Sequence, residues 1–316
     1  MEKLIIVVGV NEGVTKADNP NVPITPEEIA DDVAACVEAG ASIFHFHTRD
    51  PASEEQKLVD PQLTLDIYHA IRERTDAAIY PSYNLTTSDR FDHMHAAHAD
   101  ATATPDFAPV ICGSELLNVA TDLDAFYRKM DFPEGGSLVQ HEAGNRTMRQ
   151  VMEEIQICAD YDLVAAHEVW HTGHLRNIIS LWKMGRYVRP PLIKFAFRED
   201  YLMAFPSETR YLEVYVDMIP PELSCEWVAL PYGGIGYPQA MALWSWAITH
   251  GGNVRIGIGD NPSKDGFLPT NADRVRQMAD LARTLGREVA TVDDVRARFG
   301  RLGGSRPRSG EPAPSA

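Results

Sequence analysis

Cysteine is scarce in this chain. Four occur in 316 residues, at positions 36, 112, 158 and 225, with no C-x-x-C pair. That spacing argues against a disulfide scaffold or a cysteine-based zinc module and reads as buried thiols in a reducing compartment. Basic residues are also outnumbered: 29 Lys and Arg stand against 45 Asp and Glu, a formal net charge of −16. No basic stretch interleaved with aromatics occurs, so nucleic acid and anionic membrane surfaces are poor partners. A local basic pocket for a small anion is still compatible with this balance. No apolar run approaches the length of a membrane span. The opening MEKLIIVVGVNEG has too short an apolar run and an acidic second residue, and it reads as a first strand rather than a signal peptide. The expectation is a cytoplasmic protein.

What is present suits a large folded core. Hydrophobic residues make up 44% and charged residues 23% of the chain, ordinary values for a globular protein. Short apolar runs recur, each followed by a segment of helical pattern. Strands are expected at 4–10, 42–47, 77–82, 107–111, 163–166, 192–197, 224–230 and 254–258. Helices are expected at 25–39, 61–74, 88–99, 146–160, 173–185, 208–218, 237–250 and 271–285. The first has a full start and stop: Thr25 as N-cap, Pro26 at the first position, Glu28 completing a capping box and Gly40 at the end. Eight such β–α units predict a parallel sheet closed into a (β/α)8 barrel, a TIM barrel. The units share no repeated signature, so a solenoid is excluded. The expected organisation is one barrel domain over 1–303 and a disordered Pro/Ser-rich tail over 304–316. The irregular segment 113–145 is long enough for a hairpin or lid.

The stretch SIFHFHTRD, residues 42–50, concentrates chemistry. Strand period places His45, His47 and Arg49 on one face and Phe44 and Phe46 on the other. That suits a strand packed on helices outside and facing a site within. Two imidazoles at i and i+2 can share a metal ion; the competing reading is a pair of hydrogen-bonded core histidines. A barrel gathers its chemistry at the C-terminal ends of its strands. His47, Arg49, Ser82, Glu168, Asp260 and Asn261 all fall at or just beyond such ends.

Other motifs carry less. His167-Glu168-Val169-Trp170-His171 matches the H-E-x-x-H metalloprotease pattern, but that chemistry needs a helix and a strand is expected immediately before it. His93, His95 and His98 lie in a helical segment and read as surface residues. The Gly233-Gly234-Ile235-Gly236 run before a helix could seat an anion such as a phosphate of coenzyme A, or form a plain turn.

NPNVPITPEEIA (19–30), EAGASIFHFHTRDP (38–51), YPS (80–82), HEVWHTGHL (167–175), HGGNVRIGIGDN (250–261) and LGREVATVDDVRARFG (285–300) together resemble the β-keto acid cleavage enzymes, the family that includes 3-keto-5-aminohexanoate cleavage enzyme. The resemblance runs in order along almost the whole chain. It implies a TIM barrel, a divalent metal (zinc) and a retro-Claisen exchange in which a β-keto acid and acetyl-CoA give a new acyl-CoA and acetoacetate. It implies His45 and His47 as metal ligands and Asp260 in proton abstraction. Arg255 and Ser82 would stabilise charge, and Glu168 would be an active-site acid. Arg49, Asn261 and Glu12 are the candidates for holding substrate, and a homotetramer is implied as the assembly. Two positions depart from the pattern. Gly259 stands where the family has a metal-binding glutamate. Gly13 stands where it has a glutamate after the first strand, with Glu12 one residue early. The rival readings are a related lyase, decarboxylase or hydrolase acting on a similar acid without coenzyme A, and a metal-poor binding barrel without turnover.

Overall fold

The structure is a computed structural model that describes residues 1–57, 60–82, 95–96, 104–113, 147–199, 204–232, 237–263 and 266–300. The strands are β1 (Ile6–Gly9), β2 (Ile43–Phe46), β3 (Ala78–Pro81), β4 (Phe107–Val110), β5 (Val164–Val169), β6 (Leu192–Phe197), β7 (Glu226–Pro231) and β8 (Asn253–Ile256). Between and after them run α1 (Pro26–Ala39), α2 (Pro61–Arg74), α3 (Met148–Asp160), α4 (Thr172–Lys183), α5 (Thr209–Met218), α6 (Tyr237–Thr249), α7 (Asn271–Thr284) and α8 (Val292–Phe299). The strands form one parallel sheet in the order β3-β2-β1-β8-β7-β6-β5-β4. At its two ends the Asp106 amide donates to the Ile79 carbonyl at 2.9 Å. The Asp106 carboxylate accepts the Ile79 amide and is paired with Arg72, each at 2.9 Å. A charged side chain thus joins β3 to β4 where ladder bonds are few. The result is the (β/α)8 TIM barrel that the alternation predicts.

The helix ends follow the sequence. Thr25 caps α1 in a capping box with Glu28, and Gly40 takes the left-handed C-cap at φ 115°. The expected helix at 88–99 and the lid at 113–145 fall almost wholly outside the described residues, as do the tail and the glycine run 233–236. Helix α8, capped by Thr291, is additional to the expected elements. Its Val295 and Phe299 plug the barrel floor, with the Phe299 ring 5.2 Å from that of Phe107.

Two apolar layers set the position of the site. Outward residues such as Phe44, Phe46, Ile79, Phe195 and Val254 pack on the helices. Inward residues Ile5, Val7, Ile43, Ala78, Val164, Leu192 and Val228 fill the lower barrel. Above them the inward positions turn polar, with His45, Tyr80, Glu168, Lys194 and Arg255. Polar groups buried at this depth need partners, and the arrangement of those partners forms the site.

Candidate functional site

Strand β2 ends at Phe46, so strict alternation stops one residue before His47. The side chain of Asn11 takes over. Its Oδ1 accepts the His47 amide at 2.8 Å, and its Nδ2 donates to the carbonyls of His47 and Pro23 at 3.0 and 3.1 Å. This amide acts as a substitute strand edge and keeps His47 facing inward. Arg49 gets no such guide. Its guanidinium donates to the carbonyls of Glu12, Val14 and Glu54 at 2.7–2.8 Å and is 2% exposed. The expected common face of His45, His47 and Arg49 therefore holds for the histidines, while Arg49 is turned onto the loop backbone.

The held loop carries Glu12. This residue has φ 40°, the left-handed region that L side chains seldom adopt. The turn swings its carboxylate back over the end of β1. One oxygen lies 2.7 Å from His47 Nε2 and the other 3.4 Å from His45 Nε2. Tyr232 Oη donates to the carboxylate at 3.5 Å, and Arg255 makes a close ion pair with it. Glu12, His45 and His47 offer ligand atoms all within 4.8 Å of one another.

The donor set fits a divalent cation. His45 Nδ1 faces the Tyr80 carbonyl at 3.3 Å, and His47 Nδ1 faces Gln56 Oε1 at 2.8 Å. Both partners are acceptors, so each neutral ring keeps its proton on Nδ1 and presents the Nε2 lone pair to Glu12. Lone pairs aimed at a carboxylate repel unless a cation lies between. Burial holds His45 well below the usual histidine range, against the opposing pull of Glu12. Two neutral imidazoles and one carboxylate make a three-ligand set with room for a further ligand, as at catalytic zinc sites.

Behind the trio, Arg255 grips Asp260 in a bidentate pair, Nε to Oδ2 at 3.0 Å and Nη2 to Oδ1 at 2.8 Å. Counting along β8 does not put these residues on one face. The bend at Gly257 does, at φ 158°, where a Cβ would lie 2.1 Å from the Gly9 carbonyl oxygen. A Cβ on Gly9 would in turn sit 2.5 Å from Asp260 Oδ2. Glycine at both positions is what lets the Asp260 carboxylate enter. The shared arginine separates the two acids. Burial would raise Glu12, but His47 and Arg255 hold it well below the usual carboxylate value. Burial wins at Asp260, which rises to about 6 despite Arg255, with Glu12 adding to the rise. One acid is held firmly ionised and the other titrates at about 6, the division of roles expected of a ligand and a base.

The remaining residues take distinct places. Glu168 lies on β5, which runs to Val169 and so carries it on the strand, not beyond it. Its Oε2 accepts from Lys194 Nζ at 3.1 Å. Ser82 follows β3 half-buried, its amide bonded to Phe46 O at 2.8 Å. Asn261 donates to the Pro231 carbonyl at 3.0 Å, tying the β8 loop to β7. His167 points away from Glu168 and out of the barrel, bonded to Val110 O and Tyr187 Oη, while His171 caps α4. The H-E-x-x-H reading is thereby excluded, since its residues lie on a strand and not on one helical face. His95 bonds to Tyr161 Oη at 2.8 Å. Lys194, Tyr80, Gln56, Tyr232, Asn11 and Gly9 are among the site residues that sequence reasoning missed. Lys194 left a usable signal, because it is the single charge in LIKFAF and shares its inward face with Leu192 and Ala196, two residues to either side.

A family model for the beta-keto acid cleavage enzymes matches residues 3–300. The chain belongs to this family. It is 30% identical over 306 residues to a 3-keto-5-aminohexanoate cleavage enzyme of Fusobacterium nucleatum, covering 94% of this chain and 97% of that protein. It is 27% identical over 290 residues to a 3-oxoadipate:acetyl-CoA acetyltransferase of Cupriavidus necator, covering 90% of each. Among solved structures, the apo form of ObcA superposes with a TM-score of 0.63 at 18% identity, over 90% of this chain and 66% of that one. That likeness bears on the fold. Among the described residues no helix is long and apolar enough to cross a membrane.

Proposed function

We propose that this chain is a zinc-dependent enzyme that cleaves a β-keto acid and exchanges the acyl group with acetyl-CoA, giving a new acyl-CoA and acetoacetate. The observation that carries the reading is the Glu12–His45–His47 trio set directly against the Arg255–Asp260 pair. Relatives named for acetyl-CoA-dependent chemistry on 3-oxoadipate, 3-dehydrocarnitine and 3,5-dioxohexanoate support the substrate class.

Glu12, His45 and His47 would hold the ion. When bound, it supplies Lewis-acid stabilisation of charge at the keto oxygen. Asp260 takes the proton from the carbon between the keto and carboxylate groups. Arg255 holds Asp260 in place and offsets the negative charge gathered beside Glu12. Ser82, just after β3, stands where the thioester would approach, Glu168 on β5 holds Lys194 within the site, and Asn261 keeps the β8 loop in register. Arg49 supports the site by fixing the backbone of the Glu12 loop. A tetramer, the assembly implied by the family, is the oligomeric state to test by solution mass measurement.

The test combines metal analysis of purified protein with product analysis by mass spectrometry. The substrates are acetyl-CoA and a panel of β-keto acids. Zinc near one equivalent per chain and a new acyl-CoA paired with acetoacetate are expected. Consumption of the acid with no acyl-CoA formed would replace this reading with decarboxylation or hydrolysis.

A further inference from the structure

The floor beneath the trio holds more buried donors than the described residues satisfy. Lys194 is 1% exposed, and its ammonium group has three protons. Among the described residues it makes one hydrogen bond, to Glu168. Arg255 Nη1 and the Tyr80 hydroxyl are buried and have no hydrogen-bond partner among the described residues. The three groups share one neighbourhood. The Tyr80 ring stacks on His45 with centroids 4.5 Å apart, and Lys194 Nζ lies 5.3 Å from the same ring centroid. Strand register puts Tyr80 beside His45 and Lys194 beside Glu168, so all face the barrel interior.

Donors left unsatisfied in a dry interior are costly, and charged ones more so. A site that keeps them is built for an acceptor that arrives from outside. Burial alone would push Lys194 down. The fields of Tyr80 and Glu168 reverse this and hold it above the ordinary lysine value, so it stays an ammonium ion and does not act as an amine nucleophile. The charge balance agrees. Glu12, Asp260 and Glu168 stand against Arg255 and Lys194. The site is thus one negative charge in excess when empty and one positive in excess with a divalent ion, the complement of a monocarboxylate.

We propose that Lys194, the Tyr80 hydroxyl and Arg255 Nη1 form a carboxylate-binding floor, and that Lys194 selects a β-keto acid over its neutral analogues. This rests on the β-keto acid reading above and adds the residues that recognise the acid group.

The experiment compares acetoacetate with its methyl ester, which keeps the ketone and lacks the charge. Calorimetric titration of zinc-supplemented wild type, Lys194→Met, Lys194→Arg and Tyr80→Phe gives both affinities, with zinc content and thermal melts measured on each protein. Wild type should prefer the acid by about tenfold or more, as expected for a charge-assisted hydrogen bond. Lys194→Met should lose most of that preference with zinc content unchanged. Lys194→Arg should retain part of it, and Tyr80→Phe should weaken acid binding by a smaller factor. The proposal is overturned if wild type does not distinguish acid from ester, or if Lys194→Met weakens both ligands equally while remaining folded. Should Lys194→Met fail to fold, Lys194→Arg and Tyr80→Phe decide the matter: acid and ester affinities in wild-type ratio in both would overturn it. Failure of the exchange reaction with the acid preference intact would count against the proposed function alone.

Discussion

Glu12 and Gly259 compete for the same space. A Cβ built on Gly259 would lie 2.8 Å from Glu12 Cγ, 2.8 Å from the Gly9 carbonyl oxygen and 2.9 Å from the Asn11 carbonyl carbon. The resemblance read in the sequence leads one to expect a metal-binding glutamate at position 259. Here the carboxylate comes from the loop after β1, and glycine on the β8 side leaves it room. A mirror relation holds one layer away, where Gly9 of β1 leaves room for Asp260 from the β8 loop.

Gly259→Ala should therefore weaken the protein and its metal site together. Two of the three close atoms are backbone and cannot rotate away, so a loss of about 1–3 kcal/mol is expected from overpacking. Metal affinity should fall as Glu12 is displaced. Gly259→Glu should not tighten zinc binding, although adding a carboxylate at a glycine would by sequence logic restore a ligand. Denaturant unfolding and competition with a chromogenic chelator check both variants. Tighter binding by Gly259→Glu would show that the Glu12 loop yields more easily than its contacts imply.

Glu12→Gln preserves shape and removes the charge of the third ligand. Its metal affinity should fall at least about tenfold, the lower end of effects seen even for groups one shell further out. A chelator titration that finds no change would remove Glu12 from the ligand set.

Asp260 governs the expected pH profile. Its carboxyl is raised to about 6 by burial, and a base must be ionised to accept a proton. Turnover should therefore fall as pH drops through about 6 and level off above it. Asp260→Asn should lower the rate by about 10²–10⁴. A wild-type profile with no acid limb near this value, in an assay with zinc occupancy confirmed at each pH, would remove Asp260 as the titrating base.

Arg49 supplies a separate test of loop support. Lys in its place cannot reach three carbonyls with one planar fork. Arg49→Lys should lower the melting temperature and weaken zinc binding, because the Glu12 carbonyl loses an anchor. Substrate KM measured at saturating zinc should stay near wild type. A large KM increase with unchanged stability would mean that Arg49 meets the substrate itself.

Much of this protein is determined locally, and those parts can be read directly. Alternating apolar runs and helical patterns specify eight β–α units, since side-chain period follows from backbone geometry alone. Thr25, Pro26, Glu28 and Gly40 mark the ends of α1 through contacts a few residues long. His45 faces inward because Phe44 and Phe46 must face the helices. Even Lys194 was available to this logic, as one charge at an inward position of an apolar strand.

Tertiary structure decided the rest, because it depends on contacts between segments far apart in the chain. Glu12 and Gly259 are 247 positions apart, and their exchange of space exists only where β1 and β8 lie side by side. The inward turn of His47 depends on Asn11, a residue on a different strand end. Arg49 follows His47 by the same interval that separates His45 from His47, yet it turns away because three carbonyls of the β1 and β2 loops capture it. Strand period specifies direction only while the ladder lasts. Beyond the last ladder bond, each side chain goes where a partner from another strand end receives it.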